Sequence, residues 1–129
     1  NATRMDVVAA HEPGGTSVKN MLHWQQFLVD DKWQMLDFGA AGNMKRYNST
    51  SPPPYLYENI PTDLPMAIFA AESDMLADQR DVQYLLQHLP APPVMFQQFQ
   101  GWAHLDPVWA LDASTRLYPT IVQFIRNYL

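Results

Sequence analysis

Apolar side chains in the first half of the chain recur at helical spacing, whereas in the second half short apolar runs alternate with helical stripes. Val18, Met21, Leu22, Trp24, Phe27 and Leu28 predict an amphipathic helix over 16–29, with Thr16 or Ser17 as its N-cap. Trp33, Met35, Leu36 and Phe38 then form a short alternating stretch that Gly39 and Gly42 end, and 43–47 reads as loop or one helical turn. The run Ser51-Pro52-Pro53-Pro54-Tyr55 divides the chain, because consecutive prolines lack backbone donors and fix an extended conformation.

After the prolines the period changes. Residues 65–71 read as a buried strand, and Asp78 caps a helix from about Gln79 to His88 with the stripe Val82, Leu85, Leu86 and Leu89. Pro90, Pro92 and Pro93 stop it, and 94–99 form a second strand. A final helical region opens with Asp106 and Pro107 in cap and first-turn positions and carries Ile121, Val122, Phe124, Ile125 and Leu129. Strand, helix and strand in succession predict the α/β class with a mainly parallel sheet.

Composition narrows the function classes. With 47% hydrophobic, 12% aromatic and 16% charged residues the chain is built for a core and is not disordered. A net charge of −5 without a basic stripe excludes a nucleic-acid partner. The absence of cysteine removes disulfides, thiolate ligands and a cysteine nucleophile. No run approaches the ~18 apolar residues of a membrane span. The first residues lack a signal-peptide pattern, so if the protein is secreted its targeting signal lies upstream of Asn1. Asn1-Ala2-Thr3 and Asn48-Ser49-Thr50 are sequons, and in a secretory protein Asn1 and Asn48 become glycan acceptors.

Two side chains stand where parallel sheets gather their chemistry, at the carboxyl ends of strands. Asp74 follows the first strand and His104 follows the second. A histidine acting as general base must be held in one tautomer, and a carboxylate accepting its other N–H does so. The bland alternatives are a turn-forming Asp and a packed or surface His, and Glu72, Asp78, Asp81 and Asp106 compete for the acid's role. Asp78 and Asp106 are accounted for as helix caps. His11, His23, His88 and His104 show no i, i+4 pairing, so no metal site is expected. Met21, Trp24, Trp33 and Met35 read as core, with an acyl-chain pocket or lipid-facing surface as the functional alternative.

Four blocks carry a family resemblance: residues 11–24 (HEPGGTSVKNMLHW), Pro53-Pro54-Tyr55, residues 74–82 (DMLADQRDV) and residues 104–109 (HLDPVW). In one register, over essentially the whole length, the chain resembles the carboxyl-terminal third of the gastric and lysosomal acid lipases, which are α/β-hydrolases. The resemblance implies that Asp74 is the triad acid and His104 the triad base, and that no cofactor is needed. It implies that 1–60 end a mainly helical, lid-bearing cap subdomain and that 61–129 complete the hydrolase core. It also implies a nucleophilic serine in a G-x-S-x-G elbow. No such pentapeptide is present here, so Ser17, Ser49, Ser51, Ser73 and Ser114 are poor candidates. Where the family commonly has glycines before the triad acid, this chain has Ala70-Ala71-Glu72-Ser73, and Ala103 replaces the usual Asn before the histidine.

The expected partners are thus a complementary amino-terminal chain or segment carrying the serine, a neutral-lipid ester (triacylglycerol or cholesteryl ester) and a lipid–water interface. The expected compartment is the secretory pathway, either extracellular or lysosomal. By itself the chain is expected to be inactive. A non-catalytic relative that binds lipid or protein is the alternative, and a self-sufficient small binding domain is a third.

Overall fold

A computed structural model describes residues 2–12 and 14–129, so the sequon asparagine Asn1 and Pro13 of the first family block lie outside the described residues. The chain forms two compact units, one over residues 6–56 and one over 57–129 together with the first few residues.

Within 6–56 lie helices α1 (Met5–His11, begun in the other unit), α2 (Val18–Asp30) and α3 (Gly39–Tyr47). Ser17 is the N-cap of α2, its Oγ accepting from the Asn20 N–H at 3.1 Å, while Thr16 Oγ1 accepts from the Asn20 side chain. Phe27 packs its ring at a tilt against His23 at 4.3 Å and Trp33 at 5.3 Å. Gln26 ties α2 to the following segment, donating to Met35 O and accepting from the Asp37 N–H. The expected core stripe is corrected here. His23, Gln26 and Phe27 face inward, whereas Met21, Leu22, Trp24 and Leu28 remain exposed. Trp33 and Met35, also expected in the core, are exposed as well, so periodicity identifies the helix without identifying which of its apolar residues are covered.

One further expectation changes. The alternating stretch does end at Gly39, but 43–47 is not loop or a single turn: residues 39–47 form one helix of 9 residues that the two glycines open. A Cβ at Gly42 would lie 2.6 Å from Phe38 Cβ, which explains the glycine by close approach. The prolines meet the alternating stretch as an antiparallel bridge, Gln34 opposite Pro54. Its bonds run from Met35 N–H to Pro53 O and from Tyr55 N–H to Trp33 O, so the donor that Pro54 lacks is not required.

Asn43 holds this turn together. At 1% exposure its Oδ1 accepts from the Phe38 N–H at 2.9 Å, and its Nδ2 donates to Asp37 Oδ1 at 2.7 Å and Thr50 O at 3.2 Å. Removing the amide would break all three bonds, including the one that satisfies the part-buried Phe38 N–H. Asn43→Ala is therefore expected to cost about 1–3 kcal/mol, read as a lowered denaturation midpoint. A midpoint equal to that of the parent protein would refute this role.

The second unit is built on strands β1 (Ala67–Ala71) and β2 (Met95–Phe99), joined through helix α4 (Gln79–His88). They pair in parallel, with Ala67 opposite Met95 and Ala71 opposite Phe99. Asp78 caps α4 as its position suggests, Oδ1 accepting from the Arg80 and Asp81 N–H groups. The final helical region is three helices: α5 (Asp106–Trp109), α6 (Ala113–Arg116) and α7 (Tyr118–Arg126). The core gathers at the carboxyl ends of the strands, where Ala71, Phe99, Trp102, Ala113 and Leu117 are buried, with Phe69, Ala110 and Ile121 against them. No described helix is long and apolar enough to cross a membrane.

Candidate active site

Because β1 and β2 are adjacent and parallel, the loops leaving their carboxyl ends emerge side by side. Backbone bonds keep them so: Glu72 N–H donates to Phe99 O at 3.0 Å and Ser73 N–H to Trp102 O at 2.8 Å. Gly101 turns the second loop with φ +73°, a conformation that costs a side-chain-bearing residue about 1–2 kcal/mol. Trp102 is then buried, stacked on Phe99 at 4.4 Å and covered by the Arg116 guanidinium at 4.8 Å. Arg116 also donates to Gln100 O and to Asp112.

His104 follows that anchored segment. Its Nδ1 lies 2.9 Å from Asp74 Oδ2; the Asp74 side chain is 8% exposed and the imidazole 47%. Asp74 Oδ1 accepts from the Leu76 and Ala77 N–H groups at 2.8 and 2.9 Å. Burial alone would raise the Asp74 pKa, but the Ala77 N–H, the His104 hydrogen bond, the Leu76 N–H and the His104 charge outweigh it and hold it below the ordinary value. An ionised carboxylate only accepts, so Nδ1 carries the proton and Nε2 keeps the lone pair. That leaves Nε2 as the ring nitrogen able to accept a proton, on an imidazole that is about half exposed.

Three of the four competing carboxylates are engaged elsewhere, and Asp81 lies in the first turn of α4. Glu72 Oε2 accepts from the Gly101 N–H at 3.0 Å, and Asp78 caps α4. Asp106 is corrected: it is the first residue of α5, not a cap for it, and Oδ2 reaches back to the Ala103 N–H at 2.7 Å. It fixes the backbone immediately before His104. His23 bonds Gln34 O, His88 bonds Tyr84 O, and His11 ends α1. Among the described residues no group of three or more His, Cys, Asp or Glu side chains could hold a metal ion. Met75, Leu76, Leu105 and Val108 surround the pair in sequence and are exposed, Met75 at 91%. Asn48 is exposed at the end of α3. The contributions of Glu72 and Arg116 escape a reading for catalytic types, since each acts on loop backbone.

No protein-family model matches the chain. Individual relatives do. Bovine (Bos taurus) gastric triacylglycerol lipase is 38% identical over 126 residues, 97% of this chain and 31% of that protein. Human lysosomal acid lipase/cholesteryl ester hydrolase is 40% identical over 129 residues, 99% of this chain and 32% of that protein. Mouse (Mus musculus) lipase member N is 40% identical over the same extent, 99% and 32%. The chain thus spans about a third of the length of these curated relatives. Over nearly its whole length the chain is thus similar to the gastric and lysosomal acid lipases, matching a carboxyl-terminal portion of them.

Proposed function

We propose that this chain supplies the acid and base of a serine ester hydrolase acting on neutral-lipid esters, triacylglycerol or cholesteryl ester. The observation that carries the reading is the 2.9 Å bond between Asp74 and His104 at the ends of adjacent parallel strands, in a relative of the acid lipases. His104 Nε2 takes the proton of a serine hydroxyl as it attacks the ester carbonyl, then returns it to the leaving alcohol. Asp74 holds the imidazole and offsets the charge that forms on it. The serine and the oxyanion-hole N–H groups come from a complementary amino-terminal segment.

In this reading 61–129 complete an α/β-hydrolase core and 1–60 end a cap subdomain. The exposed Met21, Trp24 and Leu28 face a lipid or acyl chain, and the apolar residues beside Asp74 and His104 border the substrate. The protein works in the secretory pathway, outside the cell or in the lysosome, with Asn48 as a glycan acceptor.

The test is turnover. The protein uniting this chain with a serine-bearing segment is expected to release fatty acid from an emulsified triacylglycerol or cholesteryl ester, and the chain alone to release none. Lipid binding without turnover would replace this reading with a non-catalytic lipid binder.

A further inference from the structure

We infer that Glu72 is a positioning residue for His104, acting as a strut between the two loops that carry the pair. This rests on the hydrolase reading above for its effect on turnover, and on geometry alone for its effect on the imidazole.

Besides the Asp74–His104 bond itself, the loop after β1 meets the segment at and after the end of β2 through three hydrogen bonds. Two are backbone to backbone, Glu72 N–H to Phe99 O and Ser73 N–H to Trp102 O, and survive any substitution that leaves the path intact. The third depends on a side chain: Glu72 Oε2 accepts from the Gly101 N–H at 3.0 Å, across 29 residues of sequence. Glu72 stands two positions before Asp74 and Gly101 three before His104, so this bond joins the stems of the two functional side chains. Gly101 is where the loop is least restrained by its own side chains. It has no Cβ, its φ is +73°, and a Cβ built there meets nothing within 4 Å. Downstream, Trp102 is buried and Ala103 is held by Asp106. Upstream, Gln100 O is held by Arg116. Without Glu72 the Gly101 peptide is left as the free joint in an otherwise tethered loop.

Glu72 does not act on the imidazole directly, and the bond it makes is solvent-exposed. Its removal lets water satisfy the Gly101 N–H, so the fold loses little while the aim of His104 degrades. Misplacement of a reacting group by about 1 Å can cost about a hundredfold in rate. A partial loss of restraint at one joint is expected to cost about tenfold. A glutamine retains an acceptor oxygen on the same stem and should restore the strut without the charge.

The experiment compares Glu72→Ala and Glu72→Gln in the protein that unites this chain with its serine-bearing segment. A soluble short-chain ester is the substrate, and thermal melting and the NMR signal of the His104 Nδ1–H proton are read on the same samples. Glu72→Ala is expected to lower kcat about tenfold with KM unchanged. It should broaden or remove the Nδ1–H signal and leave the melting midpoint close to the parent's; Glu72→Gln should recover both kcat and the signal. Parent-like kcat and signal in Glu72→Ala, or no recovery in Glu72→Gln, overturns the strut. If the parent protein hydrolyses no ester yet the Nδ1–H signal responds as described, the strut stands and the hydrolase reading fails. If His104→Ala abolishes turnover while Glu72→Ala changes neither readout, the reverse holds.

Discussion

His104→Ala, made in the protein that joins this chain to its serine-bearing segment, is expected to lower kcat for ester hydrolysis by about 10⁵-fold or more. A serine hydroxyl is a weak nucleophile at neutral pH, and the only group proposed here to take its proton is the imidazole Nε2. Alanine leaves no acceptor, so what remains is the rate given by binding and oxyanion stabilisation, about 10³–10⁴ above water. The fold should tolerate the change. The imidazole is about half exposed, and Asp74 keeps the Leu76 and Ala77 N–H groups as donors. Loss of one exposed hydrogen bond costs about 1 kcal/mol, which a melting curve separates from unfolding. Turnover within tenfold of the parent would remove His104 from the mechanism.

The site is more legible in the sequence than the fold around it. Asp74 and His104 can be placed at strand ends from the sequence, because two short apolar runs with a capped helix between them suggest parallel strands, but choosing Asp74 over the neighbouring carboxylates rests on the resemblance of the 74–82 and 104–109 blocks. Asp78 and the prolines at 90, 92 and 93 mark the bounds of α4 because caps and missing donors act locally. What depends on partners far along the chain is not legible. The 106–129 region reads as one stripe, yet Ala110 is extended and Pro119, without an N–H, sits in the first turn of α7, so it folds as three helices. Gly42 reads as punctuation and is in fact a contact with Phe38. The apolar stripe of α2 fixes a helix without fixing what covers it. Glu72 is the same case at the site: a bond to Gly101 follows from the path of two loops, which neither loop's composition encodes.

Asp74→Asn should cost about 10⁴-fold in kcat with little change in KM, and the geometry says why an isosteric swap is so severe. Asp74 uses its two oxygens differently. Oδ1 accepts from two backbone N–H groups, which an amide oxygen can also do, so the Asn side chain is expected to place its oxygen there. Its NH₂ then occupies the position of Oδ2 and presents a hydrogen to His104 Nδ1. The ring can meet that donor only by carrying its own proton on Nε2, where the serine's proton must go. The fold is kept and the base is inverted. The pH dependence follows from the lowered Asp74 pKa. A carboxylate whose folded pKa lies below its unfolded value stabilises the fold fully above the unfolded pKa, about 3.9. That contribution is lost as pH falls through the lower folded value. The stability gap between parent and Asp74→Asn should therefore stay level from neutral pH down to about 4 and close below it, as read from melting midpoints across that range. A gap that persists at the lowest pH, or a kcat within tenfold of the parent, would mean that the Asp74 carboxylate is not what holds the imidazole.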